Sequence, residues 1–69
     1  MKIIDVKCLG QAVREQRRRL KVTQKDLAMT SGTGLRFIID LEKGKPTCQV
    51  GKALEIVRAL GLNLEIREP

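Results

Sequence analysis

Histidine, tryptophan and tyrosine are all missing from this chain, and Phe37 is its single aromatic residue. Without histidine, and with only Cys8 and Cys48 standing far apart, the usual zinc constellations cannot be assembled. No phosphate-binding glycine loop is present, nor a pair of carboxylates at catalytic spacing, so no enzyme chemistry, metal or cofactor is expected. Two thiols could close one disulfide; two small apolar side chains in a reduced interior is the preferred reading. The apolar runs are far too short to span a bilayer. Met1–Val6 lacks the apolar stretch and cleavage site of a signal peptide, so a cytoplasmic location is expected.

What is present is small and basic. Sixty-nine residues allow one domain, spanning 1–69, near the lower limit for a chain that folds alone. Apolar residues make up 42%, so aliphatic packing must carry stability, with a partner subunit as a natural source of extra burial. Lysine and arginine number 14 against 8 acids, and the excess is uneven. Arg14, Arg17, Arg18, Arg19, Lys21 and Lys25 face only Glu15 and the adjacent Asp26. Such a field attracts polyanions, nucleic acid first and an anionic membrane or acidic protein second. A plain solvated helix face is the competing explanation.

Periodicity divides the chain into helices. Asp5 is placed to cap a first helix whose Val6, Leu9, Val13, Gln16 and Leu20 share one side, with arginines outward. Thr23 caps a second, with Asp26 in the place of the usual capping-box Glu and Leu27 and Ala28 on the inner side. "TSGTG" (30–34) breaks the helix, and Gly32 sits where a tight turn needs positive φ. A third helix carries Leu35, Ile38, Leu41 and Glu42 and stops at Lys43-Gly44 before Pro46. A further helix, "KALEIVRAL", is expected to bury Ala53, Leu54, Val57 and Leu60 until Gly61 ends it. In "LNLEIRE" the period falls to two: Leu62, Leu64 and Ile66 alternate with polar residues, as in a half-buried strand over about 62–67. A lone strand is not stable in water. It must pair with Lys2–Asp5 or with its counterpart in a second molecule.

Two helices joined by a glycine turn form a helix-turn-helix, here about residues 23–43. Leu27, Ile38 and Leu41 would hold the pair at a fixed angle and leave the outer side of the second helix free for a major groove about 12 Å wide. At this point the residues resemble the Xre/Cro-type helix-turn-helix family: Thr23-Gln24, Leu27-Ala28, Gly32, Ile38, Glu42 and Gly44 follow its pattern. The resemblance implies a mainly α, five-helix, lambda-repressor-like domain that binds double-stranded operator DNA. It also implies an ion pair between Arg17 and Glu42; a solvated surface residue is the competing reading of Glu42, and the anchor is the preferred one because helix ends attract such caps. Phosphate contacts would fall on Arg17, Arg18, Gln24, Lys43 and Lys45, with the dipole of the second helix assisting Gln24. Base contacts would fall on Gly34, Leu35, Arg36 and Asp40.

Departures from the family pattern bear on those base contacts. Gly34 stands where a polar residue is usual, and Leu35 cannot hydrogen-bond. Arg36 suits the O6/N7 edge of guanine, whereas Asp40 can only accept, for example from a cytosine amine, and is repelled by phosphates unless Arg36 or Lys43 neutralises it. Phe37 reads as core or as part of a dimer contact.

The tail narrows the resemblance. "RFIIDLEKGKPT" followed by "ALGLNLEIRE" resembles HipB-like antitoxins of HipA/HipB modules. That likeness implies a homodimer joined by its C-terminal strands (Leu62, Leu64 and Ile66), autorepression of an operon, and a HipA-like kinase toxin as a further partner. Two alternatives stand beside it. One is a standalone Xre/Cro-type repressor or restriction-modification controller; the other is a protein-interaction module that has lost DNA binding.

Overall fold

Asp5 starts the first helix by accepting a hydrogen bond from the Cys8 backbone N–H at 2.8 Å. One of the amide donors that every helix start leaves unpaired is thereby satisfied. The same bond holds the Asp5 carboxyl below the usual carboxylate range. The computed structural model describes residues 2–46, 49–66 and 68. In chain order come α1 (Val6–Arg19), α2 (Gln24–Ser31), α3 (Leu35–Glu42) and α4 (Val50–Ala59). Thr23 caps α2, its hydroxyl accepting from the Asp26 N–H at 3.0 Å.

Three of the helices end in the same device. After α1 the N–H groups of Lys21 and Val22 return to the carbonyls of Arg18 and Arg17. After α3 those of Gly44 and Lys45 return to Leu41 and Asp40, and after α4 those of Gly61 and Leu62 return to Arg58 and Val57. This paired reverse pattern satisfies otherwise orphaned carbonyls and needs a left-handed residue at its hinge. Lys21 fills that role after α1 with φ 57°, although a side chain there is disfavoured. The α2–α3 corner uses Gly32 at φ 69°, as its place in the sequence requires.

Val13, Leu27, Ala28, Ile38, Leu41, Ile56 and Leu60 form one buried cluster, with Val6, Leu9, Val22, Phe37 and Leu62 packed around it. Every helix contributes. Lys52 lies over the half-buried Phe37 ring, 5.7 Å from its centre, so Phe37 belongs to the rim of this core. Gly10 lets α1 cross close over the end of α3. A Cβ at Gly10 would collide with the Leu41 carbonyl oxygen and come within 3.2 Å of the Glu42 Cα.

Several expectations are corrected. Leu54 is 47% exposed, and Ile56 is fully buried in its stead. The inward stripe of α4 runs Ala53, Ile56, Val57, Leu60, at helical spacing; Leu54 lies about 100° round from Ala53. Leu20 is half exposed because the chain turns away at that residue. The described residues hold four helices rather than five, since after Gly61 no helical period remains for a fifth. Residues 62–66 form no strand within the single chain, and neither do Lys2–Asp5. Ile3 and Leu64 nonetheless line one apolar groove, which places the two segments on the same side of the molecule. Cys8 is a half-buried free thiol. Cys48 and residue 67 of the expected strand lie outside the described residues. No helix among them is long and apolar enough to cross a membrane.

Two glycine substitutions of opposite sign test this packing. Gly10→Ala is expected to lose about 1–3 kcal/mol or more by overpacking the α1–α3 crossing. Gly51 is exposed within α4 with open space around its Cα. Gly51→Ala should therefore gain about 0.4–1 kcal/mol. Urea titrations followed by circular dichroism measure both.

Candidate nucleic-acid interface

The interface is organised by a bidentate ion pair between α1 and the last residue of α3. Arg17 Nε donates to Glu42 Oε2 at 2.7 Å, and Arg17 Nη2 donates to Glu42 Oε1 at 3.0 Å. Arg17 Nη1 donates to the Val22 carbonyl at 2.9 Å, pinning the α1–α2 connection to the same guanidinium. Gln24 Nε2, on the first residue of α2, donates to Glu42 Oε1 at 3.2 Å. The side chains of Arg17 and Glu42 are only 12% and 4% exposed. Glu42 is therefore an anchor rather than a solvated surface residue. Its hydrogen bonds raise the Arg17 pKa above the ordinary arginine value, against the opposing effect of burial. A raised pKa adds stability that is present at all pH values below the ordinary one and lost only above it. The guanidinium thus stays charged throughout the working range.

A polar notch of about 320 Å³ opens over this pair, lined by Arg14, Arg17, Arg18, Gln24, Ile39, Glu42 and Lys43. Arg18 and Lys43 are exposed at its edge, while Gln24 has already committed one amide hydrogen to Glu42. Arg14 stands in the basic field read from the sequence but not among the phosphate contacts expected there, although its position three residues before Arg17 puts both on one face of α1.

The outer side of α3 is open. Gly34 forms its N-cap with φ 88°, and Leu35 is 42% exposed. Arg36 projects furthest, its side chain 78% exposed. Asp40 lies one turn on, with Arg36 Nε 3.4 Å from Oδ1 and Lys45 Nζ 3.7 Å from Oδ2. The neutralising pair for Asp40 is therefore Arg36, as expected, together with Lys45 in the place of Lys43. Lys45 reaches back because the chain reversal after α3 returns its N–H to the Asp40 carbonyl, a consequence that linear spacing conceals. Thr33, just before α3, is buried, and its Oγ1 lies 2.9 Å from the Ser31 Oγ across the corner. Leu62, Leu64 and Ile66 lie on the tail, with Leu62 packed on the core and Ile66 fully exposed.

A glycine-cornered helix pair with the polar side of its second helix free, beside a basic notch, defines the helix-turn-helix class of DNA-binding proteins. Residues 13–66 match the sequence profile of the HTH_3 family, described as helix-turn-helix. The chain belongs to that family, of the Xre type, and is a DNA-binding regulator rather than an enzyme. It is similar to the uncharacterized HTH-type transcriptional regulator y4mF of Sinorhizobium fredii (strain NBRC 101917 / NGR234). The two are 46% identical over 61 residues, which is 88% of this chain and 80% of that protein. Two solved chains share the fold at a TM-score of 0.89 and 22% identity, each match covering 99% of this chain and 96% of the other. One is described as MDT Protein, and the other is a chain of a HipA-HipB-O2-O3 complex.

Removing one partner of the buried pair strands a charge. Glu42→Ala is expected to cost about 3–5 kcal/mol and to abolish folding in much of the population. The double replacement Arg17→Met/Glu42→Leu should recover most of that loss. Chemical denaturation of the wild type, Glu42→Ala and the double variant decides; a double variant no more stable than Glu42→Ala would contradict the pairing.

Proposed function

We propose that this chain is a sequence-specific repressor of the HipB-like antitoxin type, acting as a homodimer on palindromic operator DNA. The single observation that carries the reading is the free outer ridge of α3, held at a fixed angle by the Arg17–Glu42 pair. Arg36 reads a base edge, Leu35 and the Gly34 backbone approach the groove floor, and Arg18, Gln24, Lys43 and Lys45 contact phosphates. Asp40 belongs to the same face.

An exposed apolar surface supports dimerisation. Ile4, Val50, Leu54, Leu64 and Ile66 are 79%, 68%, 47%, 46% and 102% exposed. Ile4, Val50, Leu54 and Leu64 line one groove with Ile3, Val6, Leu9 and Ala53. A large continuous apolar face is unusual for a monomer. Pairing of residues 62–67 between two copies would join the tails in one sheet and cover this groove. Two recognition ridges then face successive major grooves about 34 Å apart.

A toxin partner is supported by the shared fold with a chain of a HipA–HipB complex and by the "LGLNLEI" tail. The relative from Sinorhizobium fredii, described simply as a transcriptional regulator, favours a second reading as a standalone Xre-type repressor. Co-purification with a HipA-like kinase encoded beside this gene separates the two: a stable complex supports the antitoxin, and two separate species favour the standalone form.

DNA binding is tested by fluorescence anisotropy with the duplex upstream of the gene. Arg18, Lys43 and Lys45 from both protomers predict a slope of log K against log salt of about −5, or roughly a thousandfold weakening between 50 and 200 mM. Arg18→Ala should flatten that slope by about 2, one phosphate per protomer. Salt-independent retention, or no binding even at low salt, would leave only a protein-interaction module. For the dimer, Leu54→Lys is expected to give a folded monomer in sedimentation equilibrium and to weaken operator binding at least tenfold. An unchanged dimer mass would place the interface elsewhere.

A further inference from the structure

We infer that Asp40 is a positioning residue for Arg36, setting a preference for guanine at one base pair of each half-site, and is not itself a base reader. The inference rests on the DNA-binding reading above and reassigns one residue within it.

Asp40 sits one helical turn after Arg36, and the two side chains meet through Nε and Oδ1 at 3.4 Å. Their exposures differ sharply: 78% for Arg36 and 25% for Asp40. The acid lies low on the ridge and the guanidinium stands at its crest, so the guanidinium meets a base edge first. With its Nε side turned to the carboxylate, the guanidinium keeps its terminal amino hydrogens for the paired O6 and N7 acceptors of guanine. A long side chain restrained before binding loses less freedom on contact, which raises discrimination for the matching edge.

Asp40 meets one residue, Lys45, through both its backbone and its side chain. Its carbonyl accepts from the Lys45 N–H at 3.1 Å, and its Oδ2 lies 3.7 Å from the Lys45 ammonium. Only a quarter exposed and with a cation toward each oxygen, the carboxylate presents little accessible surface to a cytosine amine. The trio carries one net positive charge, so the acid can remain at a DNA surface without repelling phosphates. Lys45, half exposed, completes the neutralisation and stays near the backbone of the duplex.

The experiment selects preferred duplexes from a randomised pool with the wild-type dimer, then measures affinities for the selected site and its single-base-pair variants. Arg36→Ala should lose about 5- to 150-fold of preference at one G·C pair per half-site. Asp40→Ala and Asp40→Asn should reduce preference at that same pair, while the Arg36→Ala/Asp40→Ala double variant loses no more than Arg36→Ala alone. Non-specific binding by Asp40→Ala should tighten, since a negative charge has gone. Three outcomes overturn the inference alone: preference at the Arg36 pair survives in Asp40→Ala; preference disappears at a different pair; or specific and non-specific binding fall equally, as a merely structural role requires. If the wild-type protein selects no sequence, the DNA-binding proposal fails and takes this inference with it.

Discussion

One bidentate contact, Arg17 to Glu42, governs the geometry of the whole interface. A guanidinium and a carboxylate joined by two parallel hydrogen bonds share a plane and a distance, so they fix orientation as well as proximity. The same guanidinium holds the Val22 carbonyl, and the same carboxylate receives Gln24. The end of α1, the start of α2 and the end of α3 therefore converge on one polar junction beside an aliphatic core. Without that junction the apolar contacts of Leu27, Ile38 and Leu41 would still bring the helices together, but they are non-directional. They would tolerate a range of α3 angles that a DNA groove does not.

The reverse turns after α1, α3 and α4 do related work at short range. Each satisfies two helix-end carbonyls and sends the chain back across its own helix. After α1 that motion delivers the Val22 carbonyl to Arg17, and after α3 it delivers Lys45 to Asp40. A chain with one aromatic residue has little apolar area to bury, so it relies on such local closure and on a close glycine crossing at Gly10. Apolar side chains on the N-terminal segment, α4 and the tail, among them Ile4, Val50, Leu54 and Leu64, stay outside the monomer's core. In the proposed assembly a second copy covers them.

Much of the fold was legible residue by residue. Asp5, Thr23 and Gly32 each have a single local role that their chemistry dictates: two short oxygen-bearing caps and one left-handed corner. Val13, Leu27, Ile38 and Leu41 follow from helical spacing. The failures are equally specific. Leu54 and Ile56 differ by two positions on a helix rich in apolar residues, where period alone admits more than one stripe. Leu20 fits the α1 stripe but falls where the chain turns away. The fifth helix came with the family likeness rather than from any pattern after Gly61. At the candidate site, Arg36 was readable as an exposed cation, whereas the link between Asp40 and Lys45 depends on a chain reversal that no spacing rule foretells.

Local chemistry, written in the order of residues, determined where helices begin and end and which faces are apolar or basic, because caps, turns and periodicity act over four residues or fewer. Spacing and composition did not decide which charges meet; the family likeness alone pointed to Arg17 with Glu42, and the packed molecule joins them. Arg17 and Glu42 are 25 residues apart in sequence, and their union needs α1 laid across α3 at Gly10. It also decided which apolar residues remain outside, since burial depends on the surfaces that neighbours have already filled.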